Sequence, residues 1–271
     1  MIRKISGKHS AQKINHLHVN GAEVTDVSDI VNTLGETFSD NSSSDHCSTP
    51  FKAYKQNAEK YSISFTSNNT ETYNNPFSMD ELTNAISKSR DTAVGPDSIH
   101  YQMLKNLPDS AMDTMLGAVN FIWTTGNFPP EWHLPTVIPI AKAGKNSTDA
   151  TSYCPIGLTS CLCKVMERMI NIRLVSYLEK LKLITPVQGG FRKQRSTTDQ
   201  LVRLKTFVRE ACVNKQHAVA IFFDLEEKAY DTTWKYGIMK DLFDAGLRGR
   251  LAIFIGNFLK DRQFQVSVYS V

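Results

Sequence analysis

The spacing of apolar positions changes character along the chain. From Ser78 onward they return at helical intervals. Ser78-Met79-Asp80-Glu81 has the form of a capping box and Leu82 and Ile86 follow, which predicts a helix ending near Arg90. A Gly95-Pro96 turn launches a second helix with Ile99, Met103, Leu104 and Leu107 on one side. A third is expected over 109–125, carrying Met112, Met115, Leu116, Val119 and Trp123, with Gly126 stopping it. The longest stripe lies in 159–181: Leu162, Val165, Met166, Met169, Ile170, Leu174, Tyr177, Leu178 and Leu181. Lys164, Arg168, Arg173 and Lys180 fall off the stripe, so it reads as core. Further helices are expected over 198–214, from Trp234 to Gly246, and through Leu251, Phe254 and Phe258.

Strand patterns are fewer. Residues 136–140 form a short apolar run whose internal Pro139 argues for a sheet edge. Residues 264–268 alternate. The run 218–223 is apolar on both faces and rich in β-branched and aromatic residues, which suits a central strand covered on each side. Residues 1–77 are less regular. They hold a strand-like His16-Leu17-His18-Val19, helical pieces over 24–38, and polar stretches at 41–48 and 66–75 expected to be loop or disordered. They read as a partly disordered connector.

Composition narrows the class. At 271 residues, 41% hydrophobic and 21% charged, the chain has enough apolar material for a globular core. No apolar run approaches the ~20 residues that span a bilayer, and Met1-Ile2-Arg3-Lys4-Ile5 lacks an apolar signal core. With five unevenly spaced cysteines, this predicts an intracellular protein with reduced thiols. Cys161-Leu162-Cys163 has no second pair at zinc spacing and reads as a helix face. The net charge of +4 is unevenly spread: residues 142–215 carry 14 basic against 5 acidic side chains, which points to a polyanionic partner.

Three stretches carry candidate chemistry. Asp224 ends the apolar run 218–223; a strand tip holds a carboxylate firmly while leaving it wet, as a metal ligand requires, although an Asp there can equally cap the next helix. Lys142-Ala143-Gly144-Lys145-Asn146 is a basic loop able to meet a phosphate, without the Gly-x4-Gly-Lys pattern of nucleotide hydrolases. Residues 188–199 combine a glycine pair, Phe191 and the cations Arg192, Lys193 and Arg195 just before a helix. Flexible backbone, a stacking ring and positive charge suit a nucleic-acid strand, or else make an ordinary solvated loop.

Taken in order, Ala93-Val94-Gly95-Pro96-Asp97-Ser98-Ile99, then Val137-Ile138-Pro139-Ile140-Ala141-Lys142-Ala143-Gly144-Lys145, Ser152-Tyr153-Cys154-Pro155-Ile156, 188–198 and 222–231 resemble the reverse transcriptases of non-LTR retrotransposons, in particular the jockey-like group. The resemblance covers about 78–271. It implies an α+β, right-hand polymerase: a connector over 1–77, the fingers subdomain over 78–215, and the N-terminal part of the palm over 216–271. It also implies RNA-directed DNA polymerase activity on an RNA template, a DNA primer and deoxynucleoside triphosphates, with two Mg²⁺ ions between palm carboxylates. Carried over residue by residue, Asp224 would be the catalytic metal ligand, assisted by the Leu225 carbonyl. Tyr230 would crowd the sugar 2′ position. Lys142 and Arg192 would meet the nucleotide. Gln188, Gly190, Phe191 and Arg195 would line the nucleic-acid surface.

The chain departs from that pattern. Glu226 and Glu227 stand where one residue is usual, which puts Tyr230 six positions after Asp224 rather than five. Cys154 replaces the Arg of a Tyr-Arg-Pro-Ile motif, and Ala143 replaces a Pro. The 271 residues contain no Tyr-x-Asp-Asp, the family's source of further metal-binding carboxylates. The expectation is a truncated polymerase, fingers plus the opening of the palm, inactive by itself. The alternative is a non-catalytic RNA- or DNA-binding remnant.

Overall fold

The computed structural model describes residues 14–19, 21–223 and 232–268. A hairpin of β1 (Leu17–Val19) and β2 (Ala22–Val24) leads into α1 (Val27–Asn41) and α2 (Thr49–Ala58). Helices α3 (Met79–Ser87), α4 (Tyr101–Lys105) and α5 (Asp109–Thr125) follow. Strands β3 (Thr136–Ala141) and β4 (Tyr153–Leu158) precede the long α6 (Cys161–Lys180). The rest comprises α7 (Thr197–Val213), α8 (Lys235–Asp244), α9 (Arg250–Leu259) and β5 (Gln265–Val266). The fold class is thus mixed helix and sheet.

Local chemistry sets several of these boundaries. The Ser78 hydroxyl accepts from the Glu81 N–H and the Glu81 carboxylate accepts from the Ser78 N–H, closing the capping box that starts α3. Gly126 ends α5 in the left-handed region at φ 70°, which a side chain would resist. Gly95 has a different role: a Cβ there would sit 2.5 Å from the Ser160 nitrogen, so its missing side chain lets the Gly-Pro turn lie on the start of α6. Ser160 caps that helix through the N–H groups of Leu162 and Cys163.

Two cores result. The larger gathers Leu82, Val119, Trp123, Met166, Met169, Leu251 and Phe254 from α3, α5, α6 and α9. The stripe read on α6 forms its spine, with Val165, Met166, Met169 and Ile170 buried and Leu174 and Tyr177 packed against it. Leu181, the last stripe position, is exposed. Cys161 and Cys163 are buried on the same helix, and burial pushes both thiols up. The smaller core packs Leu17, Ile30, Leu34 and Phe38 against Val137, Ala150 and Tyr153, so α1 covers one face of the sheet.

The sheet order is β4-β3-β5, with β3 antiparallel to β4 and parallel to β5. β3 is therefore central, not the edge that Pro139 suggested. Pro139 lies opposite Pro155, a pairing in which neither needs an N–H toward the other. The side where the Pro139 N–H is missing is free because β5 pairs only with Thr136 and Val137.

Residues 218–223, expected as a buried central strand, pair with no strand among the described residues. Val219, Ile221, Phe222 and Phe223 are 73–90% exposed. An apolar run becomes a strand only when neighbours take up its backbone hydrogen bonds and both faces. Helix α7 is similarly uncovered: Leu201, Val202, Leu204, Phe207 and Val208 are exposed and only Ala211 is buried.

One side chain joins the loop before α3 to α6. Arg173 donates to both Glu81 carboxylate oxygens at 2.8 and 2.7 Å and to the carbonyls of Tyr73, Asn75 and Pro76. Its guanidinium lies 3.9 Å from the Phe77 ring centre. Arg173→Ala strands these acceptors and should cost about 3 kcal/mol, read as a lower urea midpoint. Burial pushes the Glu81 carboxyl up, but the Arg173 hydrogen bonds and the Ser78 N–H outweigh it and hold it below its ordinary value. Its contribution is therefore complete above the unfolded value, about pH 4.5, and lost as pH falls through the folded one. Glu81→Gln should flatten that part of the stability-against-pH curve below about pH 4.5.

Candidate nucleic-acid interface

The basic turn that begins at Lys142 is an extension of the β3–β4 ladder. The Lys142 N–H donates to the Ser152 carbonyl at 2.8 Å, one step beyond the last strand pair. The Lys145 N–H closes back on the Lys142 carbonyl at 3.3 Å and Gly144 adopts φ 76°. The Tyr153 hydroxyl ties the far side to the Ser147 carbonyl. Lys142 is half-buried and Lys145 exposed.

The second basic segment leaves the end of α6 and runs to the start of α7. Arg192 organises it from inside. Its Nε and Nη2 donate to the two carboxylate oxygens of Glu179 at 2.8 and 2.6 Å. Its Nη1 reaches the carbonyls of Thr185 and Gln188. This bidentate clasp spans from helix to loop. The Arg192 hydrogen bonds are the main cause that holds the Glu179 carboxyl below its usual range. The guanidinium, expected to meet a nucleotide, is instead turned onto its own loop, with its side chain only 11% exposed.

The clasp leaves the preceding residue outside. Phe191 sits at φ 59° with 90% of its surface exposed, a conformation costly for a bulky residue. Gln194 also has positive φ, at 58°. The Gln188 amide donates to the Gly190 carbonyl at 3.4 Å across the turn. Ser196 and Asp199 then form a second capping box, with reciprocal bonds of 3.2 and 2.7 Å, that starts α7. Arg195 is exposed between the two acids, and its charge adds to the lowering of both Glu179 and Asp199.

The loop thus gathers Gln188, Gly190, Phe191, Arg192 and Arg195, while the β3–β4 turn presents Lys142. Asp224, Leu225 and Tyr230 lie outside the described residues. Among the described residues no group of three His, Cys, Asp or Glu side chains is placed to hold a metal ion. No helix among them is long and apolar enough to cross a membrane. The Glu179–Arg192 clasp was not anticipated, because its partners are 13 positions apart and belong to different local patterns. The Ser196–Asp199 box was legible as Ser-x-x-Asp.

A loop that holds an aromatic ring and cations toward solvent, at one end of a helix whose other end follows a strand pair with a basic turn, has the make-up of a nucleic-acid-handling protein. Residues 140–270 match the family of reverse transcriptases (RNA-dependent DNA polymerases). The chain is 36% identical over 194 residues to the RNA-directed DNA polymerase from mobile element jockey of Drosophila melanogaster, covering 70% of this chain and 21% of that protein. It is 32% identical over 197 residues to the probable RNA-directed DNA polymerase from transposon BS of the same species, covering 71% and 21%. The likeness is therefore to the non-LTR type of mobile-element polymerase, and the chain spans about a fifth of the length of these curated relatives.

Glu179→Gln removes the charge that anchors Arg192. Amide hydrogen exchange at 185–192 should accelerate, while amides in α5 keep wild-type rates. Unchanged exchange at 185–192 would show that the clasp does not hold the loop.

Proposed function

We propose that this chain supplies the fingers and the opening of the palm of an RNA-directed DNA polymerase of a mobile element, and that its own contribution is to hold the nucleic-acid strand. The observation that carries this is the loop after α6: a strained, outward Phe191 raised by an internal Arg192–Glu179 clasp, with Arg195 beside it. That arrangement supports the roles given to the loop residues, while those of Lys142 and Tyr230 rest on the resemblance to reverse transcriptases. Phe191 offers a stacking face and Arg195 meets backbone phosphate, with Gln188 and Gly190 shaping the approach. Arg192 acts as a positioning residue through Glu179. Lys142 meets the triphosphate of an incoming deoxynucleotide, and Tyr230 selects at its sugar.

Reverse transcriptases as a family use Mg²⁺, which supplies a polarised primer hydroxyl and a neutralised leaving group when bound. Asp224, with the Leu225 carbonyl, is the one metal ligand we assign. The donor set does not fit two ions, since the 271 residues offer no Tyr-x-Asp-Asp beside it. The reading for this chain alone is therefore binding without polymerisation.

Anisotropy titrations with a single-stranded RNA oligonucleotide test this. Affinity should fall with added salt, and Arg195→Ala should lower the slope of log K against log salt by about 0.7. Asp224→Ala should leave binding unchanged, and primer extension should be undetectable. Salt-independent binding would remove the nucleic-acid reading. Template-directed, Mg²⁺-dependent synthesis abolished by Asp224→Ala would instead show that the chain is an enzyme by itself.

A further inference from the structure

A second cluster of rings and lysines lies away from the α6–α7 loop, where α2 meets the start of α8. Phe51 and Tyr54 stack at 6.3 Å with 24° between their planes. Trp234 and Tyr236 pair at 5.4 Å and 31°. The two pairs meet edge to face, Phe51–Trp234 at 5.8 Å and Tyr54–Trp234 at 5.6 Å. Polar tethers fix the two rings at the start of α8: the Trp234 Nε1–H donates to Glu59 at 2.6 Å and the Tyr236 hydroxyl donates to the Tyr61 carbonyl at 2.9 Å. Even so, Phe51, Tyr54 and Tyr61 remain 37, 54 and 69% exposed. Aromatic rings held rigidly with open faces lose little freedom when a flat ligand settles on them.

Lysines are interleaved with the rings, with Asp45, Glu59, Asp241 and Asp244 among them. Lys52, Lys55 and Lys60 interleave with the aromatics of α2 and its end, and Lys235 and Lys240 with those of α8. Lys60 and Lys235 are exposed and form no ion pair among the described residues. Lys55 donates to the Ser44 hydroxyl. Lys52 and Lys240 pair with Asp45 and Asp244 in exposed contacts that a phosphate can replace at little cost. The nearest acid facing the rings, Glu59, is engaged by Trp234. Trp234 also lies only ten positions after Asp224, so the patch stands within chain reach of the proposed metal ligand.

We infer that the α2–α8 aromatic patch is a second binding surface for single-stranded nucleic acid, with Tyr54 and Tyr61 stacking on bases and Lys60 and Lys235 meeting phosphates. This rests on the nucleic-acid reading of the α6–α7 loop and extends the strand's path to residues before 78. Interleaved rings and lysines give sequence-tolerant binding, which suits a template of any sequence.

The test uses the full chain and oligouridylate of about twelve nucleotides, long enough for a single-strand site. Trp234 emission should be quenched on titration, with Trp234→Phe identifying the signal against the buried Trp123 and Trp132. Tyr54→Ala and Tyr61→Ala should each weaken binding about tenfold. Lys60→Glu with Lys235→Glu, at exposed positions that leave packing intact, should weaken it further and reduce its salt dependence. If Arg195→Ala weakens binding while the Tyr54, Tyr61 and lysine variants match wild type and Trp234 is unquenched, the patch proposal alone falls. If wild type does not bind, both fall. Quenching that grows with protein concentration in the absence of RNA would mark the patch as a self-association surface and overturn the proposal.

Discussion

The fold depends on what a single guanidinium can do in a place where an ammonium cannot. Arg173 faces a carboxylate, three carbonyls and an aromatic ring at once. A planar group with five fixed donors satisfies that set; a lysine would reach one or two members and leave the others without a donor. The carbonyls belong to 73–76, a stretch with little regular structure to hold it. Asn74, fully buried within it, donates to the Arg248 carbonyl and accepts from the Leu251 N–H at the start of α9. Its own carbonyl receives the Trp123 indole and Arg250. Through Arg173 and Asn74, α3, α5, α6 and α9 are fixed to one irregular segment. Each buried polar atom there is balanced, which matters more than the modest net gain of any one bond.

That arrangement makes α6 the beam on which both basic segments are mounted. Its N-terminal end is seated by Ser160 and the close approach of Gly95, directly after β4, whose turn presents Lys142. Its C-terminal end carries Glu179, which receives Arg192 and lifts Phe191 outward. The fully buried positions of the helix are apolar or cysteine, and Glu179 stands near its C-terminal end, where the helix surfaces. Strain at Phe191 persists because the clasp on its neighbour holds the backbone on that side.

Legibility in the sequence followed the range of the forces involved. Helix α5 was read to the residue, because Gly126 and the apolar spacing are local signals. The α3 cap was read for the same reason. Pro139 misled as an edge marker, since the pairing that accommodates it depends on Pro155, sixteen positions away. The fit of α1 over β3 and β4 was equally hidden: residues before 78 looked like a connector by composition, yet Ile30, Leu34 and Phe38 share a core with Val137 and Tyr153. In the interface, the ring and cations of 188–195 were evident, but the pairing of Arg192 with Glu179 was not. Charge type was legible; direction was not, because it was set by Glu179 on another element.

Helix α7 shows the same division from the opposite side. A helix was expected over 198–214 and forms over Thr197–Val213, but apolar spacing states only that a face suits burial. With only Ala211 buried, a helix of seventeen residues draws little stability from packing. The Ser196–Asp199 box contributes about 1 kcal/mol, whereas one large apolar side chain fully buried contributes about 1.5–3 kcal/mol. Six large apolar side chains stand exposed on α7, so the energy available from covering them exceeds the local terms that now hold the helix. The run 218–223, which follows α7 in the sequence and directly precedes Asp224, is apolar and exposed in the same way. The part of the chain nearest the proposed chemistry is thus the part whose order depends least on local sequence and most on what packs against it.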